Sequence, residues 1–106
     1  MSSVVPLQTK PQRILNLVRQ ITQDSSRVFI SRTAEEAMAR DGMTMRQVLR
    51  CMAEGSISQG PYCDEYGLTC LELERVTAGR LVRVVVSIEG RTPSQRVLHV
   101  LNAEEL

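Results

Sequence analysis

Apolar residues recur at two different spacings along this chain, and the change of period divides it. Ile14, Leu17, Val18 and Ile21 recur at helical spacing and predict a helix over about 11–24, with Pro11 in the first turn, where a missing N–H is tolerated. Ser25-Ser26 breaks that pattern, and Arg27 to Ser31 reads as a short extended segment suited to a sheet edge. Ala34, Ala37 and Met38 predict a second helix over about 34–40, with Glu36 and Arg40 as an outward i,i+4 pair. Met45, Val48, Leu49 and Met52 predict a third over about 45–54, with Arg46, Arg50 and Glu54 on its polar side. Thr33 with Glu36 and Thr44 with Gln47 both have the spacing of a capping box. Gly42 and Gly55 stand where left-handed helix stops are expected. Ser56 to Gly67 is polar, holds both tyrosines, and is expected as a loop.

After Gly67 the period becomes two. The alternation predicts three strands, at about 68–77, 80–88 and 95–102, joined by a tight Ala78-Gly79 turn and a longer one with Gly90 and Pro93. Close turns make this an antiparallel meander. Pairing Thr77 with Arg80 and Ile88 with Gln95 puts Leu71, Leu73, Val82, Val84, Val86, Ile88, Val97, His99 and Leu101 on one apolar face. The other face takes Cys70, Glu72, Glu74, Val76, Arg83, Ser87, Arg96 and Asn102, with Val85, Leu98 and Val100 among them. Glu74 then lies opposite Arg83, a favourable cross-strand pair. The expected fold is α+β in two layers, N-terminal helices packed on a small three-stranded antiparallel sheet. Residues 1–10 are expected as a flexible lead and residues 11–106 as a single domain.

Composition adds little to the fold and something to the chemistry. The 106 residues carry a net charge of +1 and only three aromatic residues, Phe29, Tyr62 and Tyr66, so aliphatic side chains must fill the core. No apolar run has the length of a membrane span, and the N-terminus lacks the pattern of a secretory signal, so a cytoplasmic protein with reduced thiols is expected. Lys10 is the only lysine among thirteen basic residues, and arginine suits bidentate contacts to phosphate or carboxylate.

The candidate chemistry is sparse. His99 is the only histidine and the first candidate for acid-base work, although its expected place between Val97 and Leu101 suits a buried neutral ring. Cys51, Cys63 and Cys70 lack metal-ligand spacing, and Cys63-Asp64-Glu65 is a commonplace loop sequence, so no metal and no cofactor is expected. Glu72 and Glu74 alternate on one strand face, with Arg83 opposite. Arg40, Arg46 and Arg50 form a candidate phosphate-binding patch, with Tyr62 and Tyr66 as the candidates for base stacking.

The segment Thr33-Ala34, Ala37-Met38, Arg40-Asp41-Gly42-Met43, Val48, Gly55-Ser56-Ile57 resembles the domain-of-unknown-function family 4258. That family often reads His-Ala, Arg-Met, Arg-Gly-Ile, then Val and Gly-x-Ile. The N-terminal helix and its spacing are also similar to the MqsR branch of the RelE-like toxins, and the likeness spans about residues 12–102. Thr33 stands here for the family's histidine and Ala37 for its arginine. Arg83 falls near a basic position of the MqsR branch, with Arg96 expected on the same face. The resemblance implies a bacterial or mobile-element protein that binds RNA, with endoribonuclease activity and an antitoxin partner in the toxin form of that reading. Such cleavage needs a base for the 2′-hydroxyl, cations for the phosphorane and an acid for the leaving oxygen. Arg83 and Arg96 are the candidate cations and His99 the only candidate acid or base. The alternative is a non-enzymatic module that binds a protein or DNA, or dimerises, through the mixed sheet face or the arginine helix.

Overall fold

The computed structural model describes residues 11–106, and the flexible lead expected over residues 1–10 lies outside them. Helix α1 (Pro11–Thr22) buries Leu15, Val18 and Ile21. It stops short of the expected end because Asp24 caps a separate turn, Ser25–Arg27, by accepting the Ser26 N–H at 3.1 Å. Strand β1 (Val28–Ile30) follows.

Helix α2 (Arg32–Asp41) starts earlier than its apolar pattern implies. Its cap is Ser31, whose hydroxyl accepts the Ala34 N–H at 3.0 Å, so Thr33 lies inside the helix and forms no capping box with Glu36. Glu36 accordingly pairs with Arg32 at 3.6 Å and not with Arg40. Gly42 ends α2 in the left-handed region, φ 68°, and the Met43 N–H donates to the Met38 carbonyl at 2.8 Å.

Helix α3 (Met45–Glu54) has the capping box expected of Thr44 and Gln47: each side chain accepts the other's backbone N–H, at 3.2 and 2.8 Å. Thr44→Ala is expected to cost about 1 kcal/mol, read as a shifted denaturation midpoint with faster amide exchange at Gln47. Thr44→Asp should keep the wild-type midpoint.

Gly55 is not a left-handed stop. Its φ is −73°, which any residue adopts. Glycine is required there by space, since a Cβ would clash with the Cys51 carbonyl oxygen and sit 2.8 Å from that of Glu74.

The sheet is five-stranded and mixed, in the order β1-β5-β4-β3-β2, and not a three-stranded antiparallel meander. The meander is present as β3 (Thr69–Thr77), β4 (Arg80–Glu89) and β5 (Val97–Glu105). Two edge strands extend it. The expected polar loop is β2 (Ser56–Cys63), antiparallel to β3. Register shifts on both sides of Gln59 break its alternation, so it carries no period-two signal. At the other edge β1 runs parallel to β5, Val28 opposite Leu98, a pairing between segments too distant for local pattern to reveal.

Between β3 and β4 the expected register holds, with Thr77 opposite Arg80 and Glu74 opposite Arg83. Ala78 and Gly79 turn the chain with φ of 52° and 77°. Between β4 and β5 the register differs: Ile88 faces Leu98, not Gln95, because Pro93–Gln95 is spent on a 3-10 turn. The shift is odd, so it exchanges the faces of β5. Leu98 and Val100 enter the core in place of Val97, His99 and Leu101. An irregularity where Val85 faces Asn102 and Val86 faces Val100 then restores the alternation, and Ala103 is buried opposite Val84.

The core unites Leu71, Leu73, Val82, Val84, Val86, Leu98 and Val100 with Val18, Ile21, Val48 and Met52 from the helices. Helix α2 packs on β5 and α3 on β3 and β4, while α1 lies against α3. Leu49, expected among the core residues, is only partly buried. All three helices therefore cover one face of the sheet, and no described helix covers the other.

Candidate active site on the open sheet face

The register aligns one residue from each strand in a row across the open face: Phe29, His99, Ser87, Cys70 and Tyr62. For Phe29, His99, Ser87 and Cys70 this follows from strand alternation, since each stands next to a buried core residue in its strand; Tyr62 joins the row through its pairing with Cys70. Ser87 and Cys70 are small and buried between their larger neighbours. Phe29 and Tyr62 end the row at the two edges and are exposed.

His99 is therefore on the open face and not in the apolar core where the sequence places it. Its Nε2 lies 2.7 Å from Glu89 Oε1, and its ring stacks on Phe29 with centroids 5.9 Å apart and planes inclined by 30°. One side of the imidazole is thus held by an aromatic ring and one nitrogen by a carboxylate. Nδ1 has no hydrogen-bond partner among the described residues. Glu89 also lines a cleft of about 580 Å³ at the strand ends, shared with Thr69, Arg91 and Gln95.

The neighbouring nucleophile types are not activated. Burial and the adjacent Asp64 carboxylate push the Cys70 thiol up to about 11. Cys51 is likewise pushed up to about 11 by burial, and its thiol points at the carbonyls of Leu73 and Val82. Cys63 is exposed. One thiol, Cys63, is expected to react rapidly with an alkylating reagent in the native protein at neutral pH, and three after unfolding. Rapid native labelling of Cys70, read by peptide mass, would contradict the row's packing.

Tyr62 donates to Glu72 Oε2 at 3.1 Å, and partial burial with that carboxylate raises its phenol to about 12. Tyr66 is 81% exposed on the turn between β2 and β3. Asp64 is committed to that turn, accepting the N–H groups of Tyr66 and Leu68 at 2.8 and 2.9 Å.

The structure separates the arginines that the sequence groups. Arg40, Arg46 and Arg50 lie exposed on the helical layer, away from the open face. Arg40 is 4.0 Å from Asp41, Arg50 pairs with Glu54 at 3.6 Å, and Arg46 has no ion-pair partner among the described residues. Arg83 is on the open face, but its Nε and Nη2 both bind Glu74 Oε2, the former at 2.9 Å. That hydrogen bond and the charges of Glu74, Glu72 and Glu104 raise its pKa, so its charge is already answered by the protein. Arg96 precedes β5 and shares the alternation of Leu98, so it does not join Arg83 on the open face. Its carbonyl accepts from Arg27 Nε at 2.9 Å. Glu89, Phe29 and Arg91 are the site residues that sequence reading misses. Recognising Pro93 as the start of a helical turn would have corrected the register and brought Glu89 and His99 together.

No curated protein and no solved structure matches the chain. A family model does, over residues 30–102, which run from the end of β1 into β5 and so span α2, α3 and the meander. On that match, the chain belongs to the family described as Domain of unknown function (DUF4258).

Proposed function

We propose that this protein acts on single-stranded RNA in the manner of a RelE/MqsR-like endoribonuclease, with His99 as its proton-transfer group. The observation that carries this reading is the partly exposed imidazole held by Glu89 and stacked on Phe29, one strand in from the β1 edge, on the sheet face that the described helices leave open. In the reaction His99 Nδ1 takes the proton of a 2′-hydroxyl. The oxygen attacks the adjacent phosphorus as the P–O5′ bond breaks, giving a 2′,3′-cyclic phosphate, and the 5′-oxygen takes its proton from a solvent water. Glu89 fixes the ring's orientation. Arg91, on the same cleft as Glu89, supplies the cation for the phosphorane. Phe29, 50% exposed, offers a stacking surface for a base beside the reacting sugar. Arg83 has no part, because Glu74 holds it.

The test is incubation of the purified chain with labelled single-stranded RNA, the same sequence as DNA, and the 2′-O-methyl form. Cleavage of RNA alone, with cyclic-phosphate ends, is the expected result. Intact RNA together with no retention at low salt overturns the reading.

A further inference from the structure

The end of the open face remote from His99 has a pattern of its own. Glu74, Arg83 and Glu104 form one cross-strand row, with Glu72 and Val85 paired beside it. On the other side Val76 pairs with Leu81, whose carbonyl accepts the Leu106 N–H at 2.8 Å. Val76 is 66% exposed and Leu106 52%. Among the described residues an uncovered apolar row therefore runs beside three carboxylates: Glu74 binds Arg83, the one cation in their row, through Oε2, Glu72 accepts from Tyr62 through Oε2, and the Glu104 side chain has no hydrogen-bond partner, so the cluster keeps a negative excess.

We propose that this end of the sheet docks a basic amphipathic segment of a protein partner. Its arginine or lysine side chains meet Glu72, Glu74 and Glu104, and its apolar side chains cover Val76, Leu81 and Leu106. Charge complementarity selects this occupant. A nucleic acid would set phosphates against the same carboxylates. A second copy packed face to face about a two-fold axis would set glutamates against glutamates. The surface is separate from the His99 row, and the inference does not rest on the RNA reading.

The test is selection of a displayed library of random peptides on the purified chain, followed by titration of the enriched peptides. Enriched sequences should combine excess basic charge with apolar residues. Their affinity should fall at least tenfold for Glu104→Lys and for Val76→Ser, and stay unchanged for Glu36→Lys on α2. Neither Glu104 nor Val76 makes a side-chain hydrogen bond among the described residues, and unchanged melting of each variant checks the fold. Enriched peptides without a basic excess, or equal binding to all variants, overturn the proposal. Self-association of the chain that Val76→Ser abolishes also overturns it, assigning the face to a second copy.

Discussion

Gly55→Ala is expected to destabilise the protein by about 3 kcal/mol, more than most single methyl additions. The added Cβ would meet two backbone oxygens, that of Cys51 and, 2.8 Å away, that of Glu74. Neither can swing aside as a flexible side chain would. Cys51 belongs to the last turns of α3, and Glu74 to β3 beneath it, so relief requires the helix to lift from the sheet. The Gly55 carbonyl also accepts from Arg19 Nη2 at 3.2 Å, tying α1 to the same point. Gly42→Ala is the comparison: its φ of 68° is strained for alanine, but nothing lies within 4 Å of the new methyl, so the cost is about 1–2 kcal/mol. Denaturant midpoints of the two variants rank these effects. A Gly55 variant no less stable than the Gly42 variant would show that helix and strand do not approach so closely.

His99→Ala is expected to reduce RNA cleavage about 10²–10⁴-fold, the range over which a positioned acid or base contributes. Affinity for uncleaved 2′-O-methyl RNA should change little, because the ring's assigned work is proton transfer. Glu89→Gln should give a smaller loss, since the amide can still hold the ring in place. Stability should be nearly unaffected in both, as His99 and Glu89 lie on the open face. Arg46→Glu with Arg50→Glu tests the helical patch separately: cleavage should persist, because those side chains project from the layer opposite the histidine. Wild-type cleavage that survives His99→Ala would leave an RNA-cleaving protein whose chemistry lies elsewhere.

The helices were legible because each buries a stripe, and Thr44 with Gln47 marks the start of α3 without tertiary help. The β3–β4 pair was legible because a tight turn fixes its register. The β4–β5 pair was not, because residues of the connection fold into a helical turn that consumes chain and shifts the pairing by an odd number. That one step removed His99 from the face where Glu89 waits. Asn102 was nevertheless placed on the correct face, since the later irregularity in β5 reverses the first error. Of the edge strands, β1 was legible as an extended edge segment, but its parallel pairing with β5, a partner distant in sequence, was not. β2 escaped because it lacks alternation. The partner of Arg83 was legible, since the β3–β4 register already set Glu74 opposite it, and the structure shows the pair formed.

The parallel pairing of β1 with β5 sets an order of assembly. Val28 and Leu98 are 70 positions apart (98 − 28), and α2 also rests on β5. As the chain leaves the ribosome, β3 and β4 can zip through their tight turn, and α3 can settle on them at once. β1 and α2 are made early, yet they have no surface to join until β5 has emerged. The segment bearing Phe29 is thus synthesised well before its partner strand and secured only after it, so the stacked Phe29–His99 pair forms at the closing step of folding.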